Sequence, residues 1–132
     1  YDSNDNMTKF SIGASTTTYT FDTASNRLIK ENNTAIGYDG GNVTNIGNLN
    51  LTYDPFNNML LAQENSTPLG RYDYDAFNKR VRKDADNQIT HYYYDNYGNV
   101  LSEMSGTGQN IYDYVYLNNI LVARVGQTVA PN

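Results

Sequence analysis

The chain has 132 residues, no cysteine, and a formal net charge of -5 with an isoelectric point near 4.6. The lack of cysteine removes disulfides and thiolate metal sites, and the acidity argues against nucleic acid or an anionic membrane surface as a partner. No apolar run approaches the roughly 18 residues of a membrane-spanning helix, so no membrane insertion is expected, and no stretch reads as a signal peptide.

Taken in chain order, the sequence keeps returning to one pattern, an aromatic residue followed by Asp. The first copy is Tyr1-Asp2, with Asn6 behind it. A Thr-rich stretch then leads to Phe21-Asp22, Asn26 and a return segment from Arg27 to Glu31. A turn at Asn32-Asn33 precedes Tyr38-Asp39, a copy one residue shorter with Asn42. Gly47-Asn48 precedes Tyr53-Asp54 and Asn58. A turn placed at Ser66 to Gly70 leads to Tyr74-Asp75 and Asn78, and one at Asp84 to Gln88 leads to Tyr94-Asp95, Asn99 and the return segment Val100 to Met104. After a turn at Gly106 to Gln109, Tyr116-Leu117 is a worn seventh copy.

The anchors are separated by 20, 17, 15, 21, 20 and 22 residues. A period of this size means one supersecondary unit per repeat, which buries its apolar side only against its neighbours. Aromatics also return two positions before the anchor, at Tyr19, Tyr72, Tyr92 and Tyr114. A spacing of i and i+2 is strand spacing, with both rings on one face. Asp opening a turn can accept backbone N–H bonds two residues on, and Asn or Gly tolerates positive φ. Each unit therefore reads as a hairpin, and no sustained helical period occurs. The expected fold is all-β, with tandem hairpins stacked into an extended, twisted antiparallel ribbon or solenoid-like sheet. Residues 1–132 form one array in this reading. Because the chain starts at Tyr1, inside a repeat and without Met, it is expected to be a fragment of a longer protein.

The runs Tyr72-Asp73-Tyr74-Asp75-Ala76-Phe77-Asn78-Lys79-Arg80-Val81 and Tyr92-Tyr93-Tyr94-Asp95-Asn96-Tyr97-Gly98-Asn99-Val100-Leu101 resemble the YD repeat of RHS proteins, and the resemblance extends over essentially the whole chain. The segment from Tyr112 to Val125 is similar to the strand pair that closes a repeat array in that family. The resemblance implies a ribbon of antiparallel strands spiralling into a hollow shell. In bacterial RHS proteins and toxin complexes the shell holds a toxic C-terminal domain, and in teneurins a related barrel serves adhesion. The Asp-Pro-rich self-cleavage element of the family has no counterpart, since Asp54-Pro55 lies inside an ordinary repeat.

The functional expectation is a non-catalytic structural segment of a secreted or cell-surface RHS-type protein, bacterial in character, building a β-shell or a self-assembling extracellular fibre. Its partners are then neighbouring repeats of the parent chain or identical copies joined end to end through strand edges. The alternative is a carbohydrate-binding or adhesion module in which Tyr72, Tyr74, Tyr92, Tyr94, Tyr114 and Tyr116 form a stacking platform. Core packing competes for the same rings.

Catalytic constellations are poor. His91 is the single histidine, and alternation puts it on the face opposite Tyr92 and Tyr94, with no Ser-His-acid set implied. No cofactor or metal is expected. Asp84-Ala85-Asp86-Asn87-Gln88 has alternate oxygen groups like the start of a calcium loop but lacks the glycine and distal Glu that complete one. The basic run Lys79 to Lys83 is bracketed by Asp73, Asp75, Asp84 and Asp86, and reads as a solvated strand. Sequons stand at Asn6, Asn32, Asn42, Asn50 and Asn65.

Overall fold

The computed structural model describes residues 1–126; the end of the expected array, 127–132, lies outside the described residues. Among these residues the protein is all-β, with thirteen strands and no helix. The strands are β1 (Lys9–Ile12), β2 (Ser15–Phe21), β3 (Leu28–Glu31), β4 (Thr34–Asp39), β5 (Asn42–Ile46), β6 (Leu49–Tyr53) and β7 (Met59–Glu64). They continue as β8 (Thr67–Tyr74), β9 (Arg80–Ala85), β10 (Gln88–Tyr94), β11 (Val100–Ser105), β12 (Asn110–Leu117) and β13 (Ile120–Gly126). Runs such as Thr16-Thr17-Thr18-Tyr19-Thr20 and Ile89-Thr90-His91-Tyr92-Tyr93 supply the β-branched and aromatic side chains that fit a pleated surface.

Two units, interleaved in sequence, make up the chain. The first comprises Tyr1–Thr52 and Gln63–Thr67, the second Tyr53–Ala62 and the chain from Pro68. In the first, β1 to β6 pair antiparallel with their sequence neighbours, from Lys9 opposite Thr18 to Ile46 opposite Leu49. In the second, β8 to β13 follow the same rule, from Gly70 opposite Ala85 to Tyr112 opposite Gly126. Chain-order pairing follows from connections too short for any crossover: antiparallel neighbours need only a tight turn.

Neither unit has a conventional core. Among the described residues no hydrophobic side chain is fully buried, and the tyrosine rows are half-buried. Stability is spread along the ladder, as expected when each hairpin covers only its neighbours.

One backbone feature was not foreseen. Immediately before five anchors, Phe21, Tyr38, Tyr74, Tyr94 and Tyr116, the register slips, and the return strand leaves one residue unpaired: Ile29, Thr44, Val81, Leu101 and Val122 respectively. These are β-bulges, which bend a strand and re-aim a side chain. Their signal was present in the adjacent apolar pairs Leu28-Ile29, Val100-Leu101 and Leu121-Val122, because two apolar residues in a row break strand alternation.

One expected turn is displaced. Asn65 and Ser66 make it, with φ of 47° and 68°, while Thr67 to Gly70 belong to β8. Gly70 serves the strand for a steric reason: a Cβ there would lie 2.6 Å from Tyr72 Oη and 3.0 Å from its Cζ, so the ring folds back over the bare backbone. The hairpin at Gly13, between β1 and β2, also escaped the repeat pattern.

Candidate functional site

The repeated Asp and Asn close a compact box at one end of the hairpins. At Asp54, Oδ1 accepts the N–H groups of Phe56 at 2.8 Å and Asn58 at 2.9 Å, while Oδ2 accepts Asn58 Nδ2 at 2.9 Å. The Asp54 N–H donates to the Asn58 carbonyl at 2.9 Å, and the Asn57 N–H, at φ 68°, donates to the Asp54 carbonyl at 3.1 Å. Asp95 repeats every element with Tyr97, Gly98 and Asn99. Asp2 does so with Asn4 and Asn6.

Two copies vary. Asp75 accepts from the N–H groups of Phe77 and Lys79, but Lys79 stands where the amide would be. Asp22 uses Ser25, through both its N–H and its hydroxyl. Side-chain donation from Asn6, Asn58 and Asn99 is the main cause holding Asp2, Asp54 and Asp95 below their ordinary carboxylate value, and Ser25 does the same for Asp22. The shorter Asp39 copy closes on Asn42 as a strand pair, and Tyr116 leads into Asn118-Asn119, both at positive φ, instead of a box.

Each full box also reaches one repeat forward. Asn6 Nδ2 donates to Asn26 Oδ1 at 2.5 Å, Asn58 Nδ2 to Asn78 Oδ1 at 3.0 Å, and Asn99 Nδ2 to Asn119 Oδ1 at 3.2 Å. All three bridges span 20 residues, and every acceptor is an Asn at positive φ. The recurrent Asn thus divides into two roles that the sequence pattern had merged: a donor that locks its own turn, and an acceptor that occupies the left-handed position of the next.

The anchor tyrosines stitch backward. Tyr38 Oη donates to the Leu28 carbonyl at 2.8 Å, Tyr74 to Met59 at 3.1 Å, and Tyr94 to Arg80 at 2.7 Å, each the first residue of a preceding return strand. Burial raises the Tyr74 and Tyr94 hydroxyls above their ordinary value. Phe21, Tyr53 and Tyr116 are half-buried, whereas Tyr1 is exposed. The rows Tyr72, Tyr74, Tyr92, Tyr94, Tyr114 and Tyr116 are likewise half-buried. The Arg80 guanidinium lies 5.6 Å from the Tyr72 centroid and 4.9 Å from that of Tyr92, and Lys79 lies 5.3 Å from Tyr94. Tyr114 Oη bonds the Glu103 carboxylate.

Within the basic run Lys79 and Arg80 lie over rings and Arg82 pairs with acids. Arg82 pairs with Asp73 at 3.1 Å and Asp84 at 2.7 Å on the face opposite the rings. His91 sits across from Arg82 and Met104, on that same opposite face. With Asp84 on Arg82 and Asp86 at the turn itself, the calcium-like segment does not gather its oxygens; among the described residues no group of three His, Asp or Glu side chains is placed to hold a metal. Of the sequon residues, Asn6 and Asn50 use their side-chain amides within the chain, Asn32 accepts the Thr18 N–H, Asn65 turns at positive φ, and Asn42 opens β5.

No protein-family model matches this chain. Over an aligned stretch of 95 residues that covers 69% of its length, it is 32% identical to the protein named tRNA nuclease WapA of Bacillus subtilis (strain 168). The same identity relates it to the tRNA3(Ser)-specific nuclease WapA of Bacillus spizizenii and the tRNA(Glu)-specific nuclease WapA of Bacillus subtilis subsp. natto. The matched stretch spans 4% of the length of these relatives.

Proposed function

We propose that this chain is a non-catalytic repeat segment of an RHS-type secreted or surface protein, one whose hairpins build part of a shell or fibre. The observation that carries the reading is the 20-residue Asn bridge, which ties each full box to the next turn. Many polar side chains serve the architecture: Asp2, Asp22, Asp54, Asp75 and Asp95 accept backbone N–H groups, the hydroxyls of Tyr38, Tyr74 and Tyr94 cap carbonyls, and Arg27, Lys79, Arg80 and Arg124 lie over rings. The tRNA cleavage for which the relatives are named would then belong to other parts of those proteins.

Arg80 and Lys79 over Tyr72, Tyr92 and Tyr94 weigh against those rings serving as a sugar platform, since stacking needs a free face. The decisive assay incubates the purified chain with tRNA while electron microscopy records its assembly state. No cleavage, with extended particles or end-to-end arrays, is expected. Cleavage above a heat-inactivated control would overturn the structural reading.

A further inference from the structure

The second unit carries a row of rings that the repeat pattern did not single out. Phe56, Phe77 and Tyr97 stand two residues after Asp54, Asp75 and Asp95, at the tips of three successive boxes, and are 72%, 81% and 81% exposed. Their placement is imposed by the box, because the N–H of each ring-bearing residue is the donor to Asp Oδ1 at 2.8 Å. The three rings therefore occupy equivalent positions. Neighbouring tips are linked by the Asn58–Asn78 hydrogen bond in one step, and Phe77 and Tyr97 line one groove in the other.

Elsewhere the chain covers tyrosine rings with its own cations, namely Arg27 on Tyr38, Lys79 on Tyr94, Arg80 on Tyr72 and Tyr92, and Arg124 on Tyr112. Among the described residues no cation lies over Phe56, Phe77 or Tyr97. Beside each stands a box carboxylate. The groove holding Phe56 is lined by Asp54 and Asp75 and by no Lys or Arg, whereas the one shared by Phe77 and Tyr97 is lined by Asp75 and Asp95 and also by Lys79. An aromatic face with an adjacent carboxylate suits an ammonium or guanidinium group, which gains cation–π attraction and charge pairing together.

Spacing decides the kind of partner. Successive tips are one hairpin apart, or two strand spacings, about 9 to 10 Å. A polyproline II segment advances ~9 Å per three-residue turn and presents every third side chain on one side. We propose that Phe56, Phe77 and Tyr97 form a docking row for an extended basic polypeptide segment bearing Lys or Arg at every third position, one cation per tip. The net charge of -5 favours the same sign of partner.

Calorimetric titration of the whole chain with a Lys-Pro-Pro repeat peptide tests this. The controls are a peptide of equal composition with contiguous lysines and a neutral β-linked oligosaccharide. The repeat peptide should bind more tightly than the contiguous one and weaken with salt. A Phe56→Ser/Phe77→Ser/Tyr97→Ser variant should lose about ten- to a hundredfold in affinity with an unchanged melt. Should that variant lose its cooperative melt, Phe77→Ser alone serves, with about a two- to fivefold loss, and Phe77→Tyr should restore binding. Failure of the repeat peptide to bind, equal affinity for the two peptides, or undiminished binding by the variants would overturn the proposal. Saccharide binding that the triple variant abolishes, without peptide binding, would overturn it in favour of a sugar row.

Discussion

The two ends of the hairpins solve the same problem, reversing the chain, by different physics. At the box end, Asp54 to Asn58 and Asp95 to Asn99 reverse it with side-chain hydrogen bonds to an ionised carboxylate, and the closing Asn ties itself to the following turn. At the other end, Asn65-Ser66 and Asp86-Asn87 reverse it in two residues by adopting positive φ. One end adds charge and amide donors to a single left-handed residue, Asn57 or Gly98. The other rests on two consecutive residues at positive φ, with no box carboxylate to hold them. Acid, amide deletion and backbone substitution should therefore affect the two ends differently.

Acid should produce the largest effect, because it reaches the boxes of Asp2, Asp22, Asp54 and Asp95 at once. Asp2, Asp22, Asp54 and Asp95 have folded-state values below the ordinary 3.8. A depressed folded value contributes stability that is fully present above the unfolded value and is lost as pH falls through the folded one. The melting temperature should hold from neutral pH to about 4 and drop below it. Thermal melts followed by circular dichroism across that range check this; a flat profile to pH 2 would deny the boxes a stabilising role.

Next comes the amide. Asn99→Ala removes the bonds to Asp95 and Asn119 while leaving its backbone N–H in place, and should cost about 1 to 2 kcal/mol in denaturant unfolding. By contrast Asn87→Gly, at φ 59° in a tight turn, should fall within about 0.5 kcal/mol of the parent. Equal effects at the two sites would erase the distinction between the ends.

The smallest expected change sharpens it. Lys79→Asn supplies the missing amide of the Asp75 box but gives up the cation over Tyr94. Gaining a hydrogen bond and losing a cation–π contact, each about 1 kcal/mol, should leave stability nearly unchanged. Solution NMR should then show a protected side-chain amide at residue 79.

Much of this architecture was legible in the residues. Tyr-Asp anchors at a near-constant period, alternating apolar positions and polar turn clusters implied tandem hairpins and no helix, as found among the described residues, because alternation and turn chemistry act within about four residues and leave a direct mark. Gly70, like Thr67 to Leu69, was read as turn and found in a strand, since the ring that covers it belongs to Tyr72 and only packing reveals that.

What the sequence determined alone was the hairpin, its anchors and its chain-order pairing, all consequences of local stereochemistry. What the tertiary structure decided was which Asn bonds forward to the next turn, where the bulges fall, which cation covers which ring, and that Phe56, Phe77 and Tyr97 remain outside while the rows of Tyr72 and Tyr92 are half-covered. Such contacts join distant residues, 12 positions apart for Arg80 and Tyr92 and 20 for Asn58 and Asn78, so they depend on strand register, and register is set jointly by bulge, turn and neighbouring strand instead of by any one segment.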